Sequence, residues 1–226
     1  MNKNFKNIII GVVVVVIVAG GLFLIFRENG VIKSPIENEI TKLLKDKVLT
    51  EDQKTNLNEA LELLKQNPKD TQAMLKLAMI KYQIEDYDGA KETYYQVLEI
   101  QPENTVVYNN LGDIYVLQED WERAEEIYLK IISKTPKWLS AYTNLESIYR
   151  FHLEEKYPEM EQILLTAIEK TADITEYAPV DLYTMLGSFY KRTEDVPNAI
   201  KYYEIALKLM PGNTAIEREL ETLKTK

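Results

Sequence analysis

The stretch TVVYNNLGDIYVLQEDWERAEEIYLKIISKTPKW, residues 105–138, decides the fold. Tyr108, Leu111 and Tyr115 fall at i, i+3 and i+7, so they share one face of a helix. Ala124, Tyr128 and Ile131 lie on one face of a second helix, and Gln118-Glu119-Asp120 makes a polar turn between the two. Gly112 and Ala124 are small, which lets the two backbones approach closely while tyrosines fill the flanking gaps. Pro136 ends the unit, because it has no N–H for the helical ladder and clashes with the preceding turn.

This unit resembles a tetratricopeptide repeat, whose pattern is W-x2-L-G-x2-Y, then A-x3-F, then P, over about 34 residues. Tyr108 stands at the Trp place and Tyr128 at the Phe place. The pattern returns one repeat length earlier as Met74, Leu77-Ala78, Ala90, Tyr94, Val97 and Pro102. In that copy Lys81 stands where an aromatic is expected, with Tyr82 beside it as a substitute. One repeat length later it returns as Tyr142, Leu145 and Tyr149, with Glu146 in the Gly place. After a longer interval it returns again as Tyr183, Leu186-Gly187, Tyr190, Ala199, Tyr203, Ala206 and Pro211. Ile40, Leu43-Leu44, Ala60, Leu63 and Pro68 fit a degenerate leading copy.

The resemblance implies an all-α fold, a right-handed α-solenoid of helix pairs, and the apolar run ahead of it is expected to add one transmembrane helix. The expected divisions are a tail 1–7, the membrane helix 8–26, a linker 27–34, a leading repeat 35–70, repeats 71–104, 105–138, 139–179 and 180–213, and a capping helix 214–226. Thr50 with Gln53 reads as a capping box. The longer interval is assigned to insertions at 154–158 and 173–179, which are either tolerated loop drift or part of a functional face. Ala215, Leu220 and Leu223 are expected to dock the last helix, as solenoids need a polar-backed cap.

Composition is that of a globular chain: 226 residues, 46% hydrophobic and 28% charged. About 190 residues beyond the apolar N-terminus suffice for one solenoid domain. The net charge of −9 argues against a nucleic-acid partner. Without cysteine there is no disulfide and no thiolate chemistry, and the single histidine, His152, rules out a multi-histidine metal site. His152 is expected to be a surface or cap residue. No phosphate loop, nucleophile elbow or zinc spacing occurs, so neither enzyme activity nor a cofactor or metal is expected.

Ile8–Phe26 is a run without a charge. At about 1.5 Å per residue it spans about 28 Å as a helix, close to a bilayer's hydrocarbon core. It is longer than a signal-peptide core and lacks a small-x-small cleavage site, so it reads as an uncleaved single-pass anchor. Lys3 and Lys6 before it, against Arg27 offset by Glu28 after it, place the tail in the cytoplasm and the repeats outside. A bare Lys/Arg count that includes Lys33, Lys42 and Lys45 points the other way.

What the family resemblance implies for function is a groove lined by the first helix of each pair, holding a protein or peptide partner. The expected groove residues are Leu75, Met79, Tyr82, Asn109, Asn110, Asp113, Asn144, Arg150, Lys191 and Arg192. Asn110 and Asn144 are one repeat apart and so stack at equivalent places. They either offer donors and acceptors to a peptide backbone or serve local hydrogen bonds. Arg150, Lys191 and Arg192 gather cationic charge in the C-terminal half, while Leu75, Met79 and Tyr82 are apolar, suggesting a ligand with an apolar and an acidic part. The alternative for Lys191 and Arg192 is neutralisation of a helix C-terminus. The leading expectation is a membrane-anchored scaffold or assembly factor; the other is a structural subunit whose repeats self-associate into a homo-oligomer.

Overall fold

The computed structural model describes residues 13–18, 21–28, 31–33, 49–172 and 179–225. The tail 1–7, the first helix of the leading repeat and the greater part of the 173–179 insertion lie outside the described residues. The membrane helix expected over residues 8–26 is corrected where it can be read. Val13–Val18 (β1), Gly21–Glu28 (β2) and Val31–Lys33 (β3) are strands, in one antiparallel sheet of order β1-β2-β3 with Val13 opposite Phe26 and Phe26 opposite Lys33. The physical reason is composition. β1 is VVVVIV, and branching at Cβ restricts χ1 on a helix while suiting the pleated backbone. Among the described residues no helix is long and apolar enough to cross a membrane.

From residue 50 onward the described chain is helical. The helices are α1 (Glu51–Gln66), α2 (Thr71–Gln83), α3 (Tyr87–Ile100), α4 (Thr105–Leu117), α5 (Trp121–Lys134), α6 (Leu139–Phe151), α7 (Glu159–Thr171), α8 (Val180–Arg192), α9 (Val196–Leu209) and α10 (Thr214–Lys224). The starts are written in the sequence. Thr50 and Gln53 form the expected capping box, with each side chain accepting from the other's backbone N–H. Asp70, Asn104, Asp120, Asp195 and Asn213 cap α2, α4, α5, α9 and α10 by accepting from first-turn amides.

The turn inside each regular pair is a recurring device. Glu85, Glu119 and Glu194 have φ of 62°, 56° and 62°, the left-handed region. After α4, the Glu119 amide donates to the Val116 carbonyl and the Asp120 amide to the Tyr115 carbonyl, the paired bonds of a Schellman ending. The same residue, turned through that bend, then leads directly into the next cap. In the repeat 139–179 Leu153 occupies the matching place with φ −127°. There the chain takes a 3-10 turn over Glu154–Lys156 before α7.

Contacts divide the chain into two units, residues 1–100 and 101–226. In the first, α1, α2 and α3 bury Leu57, Ala60, Leu64, Leu77, Ala78, Ala90, Tyr94 and Val97. Lys81 is also buried, at the aromatic place of the repeat. Its ammonium donates to Thr93 Oγ1 at 3.1 Å and the Gly89 carbonyl at 3.4 Å, which offsets its desolvation. Tyr82 does not substitute there; it is half-buried, its ring edge-on to Tyr87 at 5.8 Å.

In the second unit the signature residues form the core. Leu111, Tyr128, Ile131, Tyr142, Leu145, Tyr149, Leu164, Leu186 and Tyr203 are all buried. Tyr108 and Tyr142 donate to the Pro102 and Pro136 carbonyls, at 3.1 and 3.0 Å, tying each first helix to the loop before it. The inserted turn is held by Glu125, which is buried. It accepts from Tyr149 OH at 2.6 Å and from Lys156 Nζ at 2.5 Å. Ile216, Leu220 and Leu223 dock α10, so Ile216 takes the place expected for the exposed Ala215.

Candidate functional site

The expected groove residues are described unit by unit. In the first, Leu75, Met79 and Tyr82 lie on α2, off the core residues Met74, Leu77 and Ala78. Leu75 and Tyr82 are half-buried, and Met79 is 42% exposed.

In the second unit the same face of α4 and α6 is a hydrogen-bonded chain. Asn109 donates to Asp113 Oδ2 at 3.0 Å and accepts from Trp138 Nε1 at 3.3 Å and Ser140 Oγ at 3.4 Å. Tyr128, reaching from α5, donates to Asp113 Oδ1 at 2.9 Å, and Asn144 donates to the Tyr128 hydroxyl. Burial lifts the Asp113 carboxyl above its ordinary value, with the Tyr128 bond opposing. Burial, followed by the Asp113 charge, pushes the Tyr128 phenol far up. Asn144 therefore has one local partner, the second of the two roles open to it from sequence. Asn110, at the equivalent place on α4, is half-buried.

The three cations occupy different situations. Lys191 Nζ meets Glu219 Oε2 of α10 at 2.5 Å. Arg192 Nε lies 3.6 Å from Glu146 Oε1, linking α8 to α6. Arg150 lies with its guanidinium 4.4 Å from the Phe151 ring centroid. Val106, Leu117 and Phe151, on the same two helices, are 54%, 51% and 58% exposed.

Sequence reasoning passed over Glu146 and Tyr157. Glu146 was visible as a charged residue in a Gly place. Its Oε1 is buried and has no hydrogen bond, and neither has the buried Tyr157 hydroxyl. Burial raises the Tyr157 phenol, the Glu146 charge adds to the rise, and Arg192 and Arg150 oppose it. His152 caps the end of α6, and its ring stacks on Trp121 at 3.6 Å with 8° between planes. On the second-helix side, a cavity of about 220 Å³ is lined by Leu129, Ile132, Ile163 and Ala167 among others. Among the described residues no cluster of three His, Cys, Asp or Glu could hold a metal ion.

Two segments, residues 85–147 and 180–213, match family models described as tetratricopeptide repeat, and the chain carries tetratricopeptide repeats there. Among solved structures, the crystal structure of MamA is 17% identical, with 78% of this chain and 95% of that one covered, at a TM-score of 0.50. A second crystal structure of MamA protein is 27% identical over 68% of this chain and 80% of its own, at 0.47. A Pseudomonas aeruginosa PilF structure is 16% identical over 80% and 77%, at 0.49. The first of these likenesses is one of fold. No curated protein matches the chain.

Proposed function

We propose that this chain is a protein-binding scaffold rather than an enzyme, its repeats receiving a peptide or protein partner on the first-helix face. The observation that carries the reading is the α4–α6 face itself. It leaves Val106, Leu117 and Phe151 more than half exposed beside Asn109, Asp113 and Arg150, although the same helices bury every signature residue. Large exposed apolar side chains amid ordered polar ones are the anatomy of a recognition surface. We further assign the apolar N-terminal run to association with a lipid surface, with the repeats outside the cytoplasm; the absence of any charge from Ile8 to Phe26 supports this.

The test is cross-linking of the full chain in cells, compared with a Tyr82→Ala variant and an Arg150→Glu, Lys191→Glu, Arg192→Glu triple variant. A partner set lost on one or both variants is the expected result. An unchanged set on both overturns the first-helix face as the binding surface. Carbonate extraction addresses the lipid reading, since release into the wash removes it. A second reading is a self-associating subunit, favoured by Leu209 and Met210, which are 43% and 49% exposed together at the end of α9. Light scattering that shows a concentration-independent monomer disfavours it.

A further inference from the structure

Glu146 stands where the neighbouring repeats have Gly112 and Gly187. A Cβ at Gly112 would come within 2.8 Å of the Tyr128 ring, and one at Gly187 within 3.0 Å of the Tyr203 ring. In these two repeats the facing tyrosine therefore leaves no room for a long side chain. In the repeat of Glu146 the matching second-helix place holds Leu164 instead of tyrosine, a shorter residue. The glutamate so admitted has one buried oxygen, which lies 3.6 Å from Arg192 Nε. That contact is made through Nε and, at 3.6 Å, is an ion pair too long for a hydrogen bond; a guanidinium can meet a second carboxylate in a two-pronged fashion.

Arg150 lies one turn beyond Glu146 on the same helix. Among the described residues no carboxylate pairs with it, and its guanidinium rests against exposed Phe151. The inserted turn brings Tyr157 to Phe189, their ring centroids 5.3 Å apart, where it feels Glu146, Arg150 and Arg192 together. Two guanidiniums against one carboxylate leave a positive excess here, in a chain of net charge −9.

We propose that Arg150 and Arg192 are the acid-receiving part of this face, taking the carboxylate of an aspartate or glutamate in an extended partner peptide, with an adjoining apolar side chain resting on Phe151. The occupant follows from charge complementarity and from the apolar ring beside the cations. Lys191 is not part of this subsite, because Glu219 already neutralises it. The inference rests on the scaffold reading above and deepens it.

The test is selection of random peptides displayed on phage against the full chain in detergent, with a synthetic copy of a selected peptide then titrated onto variants. Selected peptides enriched in an acid next to an apolar residue are expected. Their affinity should fall about tenfold or more with Arg150→Gln, Arg192→Gln together, the loss typical of a charge-assisted pair. With Lys191→Gln it should change by less than about twofold, as exposed, already paired charges do. All three positions are at least partly exposed, and circular dichroism checks that each variant is folded. Peptides selected without acids, or bound equally by the double variant, overturn this inference and leave the scaffold reading standing. An equal loss with Lys191→Gln overturns it as well. Failure to select any peptide overturns this inference, and the scaffold reading is then decided by the cross-linking test above. A dimer that dissociates in the double variant assigns the acid to a second copy and overturns the separate partner.

Discussion

The contact between Gly112 and Tyr128 sets how closely one helix pair can pack. Tyr128 is fully buried, its ring lies where a Cβ of residue 112 would be, and its hydroxyl joins Asp113 to Asn144. Alanine at 112 gains about 1 kcal/mol of helix propensity over glycine. It also forces a rigid ring to shift in a close-packed interior, which typically costs about 1–3 kcal/mol. The second effect is larger here, because the ring is anchored at its far end as well. Gly112→Ala is therefore expected to lower stability by about 1 kcal/mol in urea unfolding, the overpacking cost less the propensity gain. A change in the Tyr128 hydroxyl environment should accompany it and be detectable by NMR. The tight place was legible in the sequence, since Gly112 faced an aromatic at fixed spacing. The Lys81 substitution was visible as a departure from the pattern, but its accommodation was not. A lysine stem can fill an aromatic place when its ammonium finds acceptors, and Thr93 with Gly89 supplies them from the next helix, a match no spacing rule announces.

At the scale of the element, the inserted turn shows how an irregular repeat is kept in place. The regular pairs turn through a left-handed glutamate and cap the next helix at once. The repeat 139–179 lacks that residue and instead ties its 3-10 turn to α5 through Lys156 and Glu125. The Glu125 carboxylate is buried, so its two bonds are not optional. Lys156→Met would leave it with Tyr149 alone and is expected to cost about 1–2 kcal/mol, since a buried charge loses half of its partners. Thermal unfolding of the variant checks this, and the double change Lys156→Met, Glu125→Met is expected to recover part of the loss. The sequence marked residues 154–158 as a lengthened turn, and a 3-10 turn over Glu154–Lys156 lies there. Its anchor joins residues far apart in the chain through side chains, and nothing local in the residues 154–158 marks Glu125 as their partner. For the same reason the separate pairings of Lys191 and Arg192 were not legible, because Glu219 and Glu146 lie on other helices.

Across the whole molecule, the tyrosine-rich core gives the fold a dependence on alkaline pH. Burial pushes the Tyr128, Tyr149, Tyr190, Tyr157 and Tyr203 phenols up, in three of them with a bonded carboxylate adding to the rise, and the Glu125 bond raises Lys156. A group whose folded pKa lies above its unfolded value favours the fold below the unfolded value, about pH 10 for both residue types, and that stability is lost as pH rises further. Each such group removes about 1.4 kcal/mol per pH unit once the unfolded form has released its proton. Helix content followed by circular dichroism should therefore collapse within about two pH units above 10, in step with tyrosinate absorbance. Gradual tyrosine ionisation with helices intact would contradict the shared shifts. At this scale the repeats over residues 85–147 and 180–213 were foreshadowed by period, while the apolar N-terminus was not: length and lack of charge suited a helix, and the run of β-branched residues in Val13–Val18 suited the strand observed.

The chain has two tryptophans, and both sit in the second unit in unlike company. Trp121 lies flat on the lone imidazole, and Trp138 gives its indole proton to Asn109 on the candidate binding face. The molecule thus carries a native optical probe of its own binding face: Trp138 emission is expected to shift in colour whenever an arriving peptide competes for that asparagine.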